Sequence, residues 1–425
     1  MKNKILCGDS LEVLKDFEDN YFDSVVTDPP YGLAFMGKKW DYDVPQVELW
    51  KEVYRVLKPG GHILSFAGSR TYHRMAVNIE DAGFEIRDML GWLYGSGFPK
   101  SHNIGKAVDK LQGNEREVIG VSTGKGYSSQ QEKNKEQGFR PYKDGLPHEK
   151  ADRTLTKGNT EWEGWGTALK PAHEPIVMAR KPFNTSVAEN VLTHGTGGIN
   201  IDECRVGIDE NDPNHRHNSS QGNSGKNSMF GVGGHKGNLQ SQGRFPANII
   251  LDEEAGKILD EQSGTIKGGK AMPPFQKPIE NNVRMNSSQE INRIGYGDTG
   301  GASRFFYCPK ASKAERNMGL DDYEEKQVTD GNIRTNQETA RTFGANSVKR
   351  KNYHPTVKPI KLMEYLVRLV TPKEGIVLEP FAGSGTTLIA CKQQGFNYIG
   401  IEREQEYCDI AEARLKAVQV QGELF

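Results

Sequence analysis

Two stretches of this chain alternate short apolar runs with amphipathic ones, and a long segment of different character separates them. In the first stretch Ile5-Leu6-Cys7 reads as a strand ending at Gly8-Asp9-Ser10, and Leu11 to Phe17 has helical spacing. Asp23-Ser24-Val25-Val26-Thr27 is a second strand. Leu49 to Leu57 is a helix stopped by Lys58-Pro59-Gly60-Gly61. His62 to Phe66 is a strand, Tyr72 to Ala82 a helix closed by Gly83, and Phe84 to Tyr94 further strand. The second stretch repeats the pattern: helix Ile360 to Val370, strand Ile376 to Leu378, helix Thr386 to Gln394, strand Tyr398 to Ile401, helix Glu404 to Leu415. Alternation of this kind implies an α/β, doubly wound sheet with helices on both faces. Neither end holds enough strands for a sheet; joined, they supply about seven. The two ends are therefore predicted to pack side by side in one domain.

Residues 101–350 differ. The segment 215–245 is rich in Gly, Asn, Ser and Gln, a composition that buries too little apolar area to order itself. Ala172 to Lys181, Gly198 to Cys204, Phe245 to Leu251 and Ser303 to Lys310 read as strands around it. The expected division is 1–100 and 351–425 as two halves of one domain, with 101–350 inserted between them.

Two motifs carry chemistry. Asp28-Pro29-Pro30-Tyr31 follows the second strand. An acid, two prolines and an aromatic ring at a strand's carboxyl end form a shaped polar slot suited to a planar amine. Asp28 and the Pro29 carbonyl can each accept a hydrogen bond from the amine, and Tyr31 can stack on the ring that carries it. The bland alternative is an acidic turn. Val377-Leu378-Glu379-Pro380-Phe381-Ala382-Gly383-Ser384-Gly385-Thr386-Thr387 reads as strand, glycine turn and helix start. Its glycines admit a ligand close to the backbone, and its helix offers free N–H groups. Leu388 stands where the dinucleotide fingerprint needs a third glycine, and no Gly-Lys-Ser/Thr follows, so it is neither that motif nor a phosphate loop. Glu402, 19 residues after Gly383, ends the next strand at the offset of an acid that holds two ribose hydroxyls.

Together these residues resemble the S-adenosylmethionine-dependent amino-methyltransferases of DNA. The order, Asp-Pro-Pro-Tyr first and Phe-x-Gly-x-Gly last, resembles the circularly permuted β group of those enzymes. The resemblance covers nearly the whole chain, more firmly at its ends. It implies a Rossmann-like methyltransferase sheet with an inserted target-recognition domain, and S-adenosylmethionine as cofactor. The activity it implies is site-specific methylation of double-stranded DNA of the restriction-modification kind, by direct in-line displacement onto a flipped-out base. Asp28, Pro29, Pro30 and Tyr31 would then be catalytic. On the cofactor side Phe381, Gly383 and Gly385 would line the methionine and Glu402 the ribose. Pro380, Thr386 and Thr387 belong to the same turn, and Asp28 faces the cofactor as well. Asp9 resembles the acid that recognises the adenine end; its plain reading is a helix cap, and one residue could do both. His354, Thr356 and Lys358, in His354-Pro355-Thr356-Val357-Lys358-Pro359, open the helix before the glycine strand. In the family this segment lies near the methionine carboxylate; its plain reading is a proline-marked helix start.

Asp-Pro-Pro-Tyr favours N6 of adenine, with N4 of cytosine as the alternative in the same fold. An RNA or protein-amide methyltransferase is a more distant rival, because amide enzymes place the glycine motif first. A non-catalytic DNA-binding module is disfavoured because no motif residue is missing. A homodimer is expected from similar enzymes.

Net charge is −1 and pI about 6.8, so any DNA surface is a local patch. Between Arg334 and Lys361 seven basic residues (Arg334, Arg341, Lys349, Arg350, Lys351, Lys358, Lys361) face one acid, Glu338, a net +6 suited to DNA phosphates or to a solvated linker. Trp162 and Trp165 read as packing or loop anchors, with base stacking the alternative. The cysteines, Cys7, Cys204, Cys308, Cys391 and Cys408, are scattered without a C-x-x-C pair, so reduced thiols and no metal site are expected. No apolar run approaches the ~20 residues of a membrane span. Met1-Lys2-Asn3-Lys4 leads into a strand rather than a signal peptide. The expected location is the cytoplasm of a bacterial or phage-infected cell.

Overall fold

The structure is a computed structural model that describes residues 2–33, 41–95, 97, 101–122, 153–207, 243–267, 299–309, 315–329, 347–354 and 356–418. Contact density divides the chain into two compact units, one of Met1–Ser96 with Ala172–Phe425 and one of Gly97–Pro171.

From the first hundred residues come β1 (Lys4–Cys7), β2 (Phe22–Thr27), β3 (Leu57–Phe66) and β4 (Glu85–Leu93). The smaller unit holds helix Ile104–Gln112 and an antiparallel hairpin of β5 (Glu117–Ser122) and β6 (Arg153–Lys157). The middle of the chain adds β7 (His173–Arg180) and β8 (Ile249–Leu251). It also holds two antiparallel ribbons, β9 (Ile266–Lys267) with β10 (Thr299–Gly300) and β11 (Lys326–Thr329) with β12 (Ser347–Arg350). β13 (Ile376–Glu379) and β14 (Asn397–Glu402) close the list.

Eight strands form the main sheet in the order β1-β14-β13-β2-β3-β7-β4-β8. β7 runs antiparallel to both neighbours, and the other pairings are parallel. Alternate residues along each strand enter different apolar clusters, as a pleat requires. Val26, Leu64, Met178 and Val377 join one cluster; Val25, Ile63, Val177 and Leu378 join the other. Helix Ile360–Val370 and Leu388 to Cys391 of helix Thr386–Gln394 pack into the first. Helices Val47–Val56 and Tyr72–Asp81 pack into the second. The fold is thus the doubly wound α/β sheet expected, and the two ends of the chain do meet: β13 pairs with β2 through Val377↔Ser24 and Leu378↔Val25.

Several details differ from the sequence reading. Six of the eight main-sheet strands come from the chain ends; β7 and β8 come from the region expected to stand apart. The compact unit that does separate is Gly97–Pro171. Lys58-Pro59-Gly60-Gly61 stops the preceding helix but not the strand. β3 begins at Leu57, and the register shifts between Phe22↔Leu57 and Ser24↔His62, with Gly60 at φ +81° inside the irregularity. Gly198 to Cys204 is not a strand: its ordered part is a 3₁₀ turn, Asp202–Cys204. Ser303 to Lys310, described as far as 309, likewise holds a 3₁₀ turn, Ala302–Phe305, followed among the described residues by the single bridge Ile250↔Tyr307. Aromatic runs of that length fit a strand or a packed turn equally, and only the partner decides. The glycine-rich segment lies outside the described residues, apart from its end at 243–245.

In the smaller unit Arg116 pairs with the buried Asp109 and, at 2.8 Å, with Glu163. Trp162 and Trp165 meet edge to face at 5.5 Å, yet are 40% and 59% exposed, more than packing anchors require.

Candidate active site

The carboxyl ends of β2 and β13 lie side by side where the strand order reverses direction, the place where open α/β sheets bind ligands. Thr27, the last residue of β2, donates a hydrogen bond to Glu379, the last of β13, across 352 residues of chain. Thr387 Oγ1 donates to the other Glu379 oxygen at 2.7 Å, and the Phe381 N–H to the first at 3.1 Å. Burial raises the Glu379 carboxyl to about 8, against the lowering effect of these donors. At neutral pH it is mostly a protonated acid.

After β13 the chain turns through Gly383 (φ +51°) and Gly385 (φ +78°) into helix Thr386–Gln394. A Cβ on Gly383 would stand 2.8 Å from His354 Nε2, so this glycine is required by space as well as by φ. His354 is fixed in turn: its Nδ1 lies 2.6 Å from the Thr356 carbonyl, and its ring meets Tyr407 edge to face at 4.6 Å. Burial lowers its imidazole to about 4, so it is neutral at pH 7. Glu402, at the end of β14, accepts the Gly383 N–H at 2.8 Å and the Glu404 N–H at 2.9 Å. Arg414, fully buried, donates to the Ser384 carbonyl and hydroxyl and to Thr386 Oγ1. The glycine turn is thus held from three sides.

Across from it, Asp28 is not free. Lys358 Nζ lies 2.6 Å from its Oδ2, and the Tyr31 hydroxyl donates to its Oδ1 at 2.7 Å. Both cationic and phenolic groups also reach Glu174 of β7, at 3.2 Å and 3.1 Å. Burial alone would lower the Lys358 ammonium; Asp28 and Glu174 more than offset this, and the net shift is upward. Tyr31 is raised well above the usual phenol range, by burial first and then by Asp28. The backbone of the turn is pinned by the buried Asp41, which accepts the Tyr31 N–H at 2.7 Å and the Gly32 N–H at 3.1 Å.

One cavity, about 320 Å³ counting its open mouth, joins the two motifs. Of the residues singled out from sequence, Asp28, His354, Thr356, Lys358, Phe381, Gly383, Thr386 and Thr387 line it. Pro29, Pro30, Tyr31, Pro380, Gly385 and Glu402 are not among the lining residues but adjoin them: the Pro380 carbonyl accepts from Ser10 Oγ, and Gly385 lies against Ala411. Asp9 is exposed and caps helix Ser10–Leu14 by accepting the Leu11 N–H at 3.0 Å, and it is not among the lining residues. Lys358, counted in sequence with a basic run facing phosphates, is only 9% exposed and is held inside. Arg334 and Arg341 of that run lie outside the described residues. Sequence reasoning gave no role to Glu379, Glu174, Arg414, Met363 or Ser384; the acid directly after Leu378 was a readable signal for the first.

The cradle fits a nucleoside-bearing amino acid: an opened glycine turn, a helix start, and a carboxylate at the end of the neighbouring strand. Among the described residues no cluster of His, Cys, Asp or Glu could hold a metal ion, and no helix is long and apolar enough to cross a membrane.

A family model described as DNA methylase matches residues 22–413. The type II methyltransferase M.HindIII of Haemophilus influenzae is 23% identical over 373 residues, which is 87% of this chain and 68% of that protein. M.HinfI, a type II methyltransferase of Haemophilus influenzae, is 45% identical over 69 residues, 16% of this chain and 19% of that protein. The chain thus spans about two thirds of the first relative's length and under a fifth of the second's. The crystal structure of an M1.HpyAVI–SAM complex aligns with 97% of this chain and 98% of its own at 16% identity and TM-score 0.36, a likeness too loose to carry detail.

Proposed function

The chain belongs to the DNA methylase family, and from that premise we propose that it methylates N6 of a flipped-out adenine in double-stranded DNA. S-adenosylmethionine is the methyl donor, and it supplies a methyl group already activated on a sulfonium. The observation that carries the reading is the common cavity: the amine-accepting Asp28 and the glycine turn line the same space.

The protein's task is to align acceptor nitrogen and methyl, and to localise the nitrogen's lone pair. Asp28 and the Pro29 carbonyl accept the two amine hydrogens, favour a tetrahedral nitrogen and stabilise the positive charge that grows on it. Pro30 holds the turn that aims them. Tyr31 supplies an aromatic face for the extruded base, while its hydroxyl orients Asp28. On the donor side Gly383 and Gly385 admit the backbone-close part of the ligand beside Phe381. Glu402 uses two lone pairs on backbone N–H groups and keeps others for ribose hydroxyls. His354 and Thr356 shape the methionine end; the Lys358 ammonium is engaged by Asp28 and Glu174 instead. Adenine is favoured over cytosine by the acid at the first motif position. The Gly97–Pro171 unit and the middle of the chain are the candidates for reading the target sequence.

Replacing Asp28 tests the assignment. Asp28→Asn keeps the shape but loses the charge, and single-turnover methyl transfer to unmethylated DNA should fall by a factor on the order of 10³. Donor affinity, measured by calorimetry, should change by no more than about threefold. Loss of donor binding in step with transfer would move Asp28 from the amine to the cofactor.

A further inference from the structure

We propose that the Lys358 ammonium is the resident occupant of the amine subsite, and that Glu174 receives it when a base enters. The inference rests on the reading of Asp28 as the amine acceptor.

The geometry points to a subsite built for a tetrahedral, cationic nitrogen. Lys358 Nζ sits 2.6 Å from Asp28 and 3.2 Å from both Glu174 and the Tyr31 hydroxyl. The Phe66 ring lies 4.7 Å from it and the Tyr31 ring 5.5 Å. Two carboxylates and two ring faces around one nitrogen suit a positive charge. A base amine under methylation becomes such a nitrogen, tetrahedral and increasingly positive. It needs the Asp28 oxygens that the ammonium and the Tyr31 hydroxyl already hold, so ammonium and amine compete for that carboxylate.

Glu174 makes the exchange feasible. It stands on β7 opposite Trp92 and belongs to neither motif. An ammonium driven off Asp28 with no second carboxylate would be a buried, unpaired charge, which is strongly unfavourable. With Glu174 already in contact, the long lysine side chain gives up one partner and keeps the other. Asp28 is thereby held oriented before the base arrives and is released only to a competitor of like chemistry. Glu174 is a positioning residue in this scheme, acting through Lys358.

The test is single-turnover transfer of radiolabelled methyl to unmethylated bacterial DNA by wild type, Glu174→Gln and the double variant Glu174→Gln/Lys358→Met. Calorimetry with S-adenosylhomocysteine verifies that each variant retains its cavity. Glu174→Gln leaves Lys358 with Asp28 as its sole carboxylate among the described residues and should slow transfer on the order of tenfold. Removing Lys358 in the same molecule should restore most of that loss, an outcome a merely structural role would not give. A double variant as slow as Glu174→Gln, or a Glu174→Gln enzyme at wild-type speed, overturns the proposal. Should a variant fail to bind S-adenosylhomocysteine, a crystal structure of wild type with sinefungin and DNA decides. Lys358 on Glu174 and beyond about 4 Å from Asp28 supports the exchange, and Lys358 still on Asp28 beside a bound base refutes it. Wild type inactive on DNA would instead sink the reading of Asp28 itself.

Discussion

The glycine turn of the cavity is one continuous stretch of chain, β13 to β14, with His354 and Thr356 set beside it, whereas the amine side gathers Asp28, Tyr31, Glu174 and Lys358 from three separate segments. The first side works by backbone geometry: two left-handed glycines, a helix start, and side chains that hold the turn without entering it. The second works by charge: one cation shared by two carboxylates and a phenol, with little solvent. A donor with a fixed shape is matched by rigid backbone, while an amine that must enter and change charge is matched by side chains that can exchange partners. Damage to the two sides should therefore look different.

The largest contrast should come from Gly383→Ala. Its Cβ meets a histidine ring that is itself pinned, at a φ unfavourable for alanine. Donor affinity should fall by roughly ten- to a hundredfold, with DNA affinity within about threefold, as read by calorimetry and by filter binding. Equal losses on both ligands would erase the distinction between the sides. Tyr31→Phe removes the hydroxyl shared by Asp28 and Glu174. Single-turnover transfer should drop about tenfold with donor affinity retained.

A smaller effect lies in the pH dependence of two groups that both support the glycine turn. The folded Glu379 value of about 8 lies above its unfolded value of 4.5, so the native protein holds an extra proton between them. Stability from this group is full below pH 4.5 and falls as pH rises through 8. His354 acts in the opposite sense and elsewhere: its value of about 4 lies below 6.5, so its contribution is full above pH 6.5 and fades towards 4. Thermal melts between pH 7 and 8 weight Glu379, below the range in which the thiols of Cys204, Cys308, Cys391 and Cys408, all raised by burial, add a limb of the same sign. Glu379→Gln, which keeps both an acceptor and a donor, should flatten that limb by on the order of 1 kcal/mol. A limb unchanged in the variant would assign it to another group. The smallest effect is expected from Asp9→Ala: about 1 kcal/mol of stability through the lost cap and no change in donor affinity. A donor-affinity loss there would bring Asp9 back to the adenine end.

The same contrast explains how much was legible beforehand. The glycine side is local, so its glycines, its helix start and Glu402 could be read from spacing alone. On the amine side the Asp28 turn was equally readable, but its partners were not. Glu174 lies in a strand recognised from its apolar run, yet nothing in chain order reveals that this strand inserts between β3 and β4. Lys358 looked like part of a basic surface because a count of charges carries no burial. Pairing between distant segments sets sheet order, and one-dimensional patterns do not contain it. Ser303 to Lys310 failed for the related reason that a strand needs a neighbour, and the described residues of this segment have only one bridge.

The most direct measurement is the identity of the modified base. Protein, S-adenosylmethionine and unmethylated DNA of diverse sequence would be incubated, the DNA digested to nucleosides, and modified bases quantified by mass spectrometry, with Asp28→Ala alongside. The result expected is N6-methyladenine with wild type and none with the variant. N4-methylcytosine would keep the amine chemistry and overturn the base; no modified base with wild type would contradict the account.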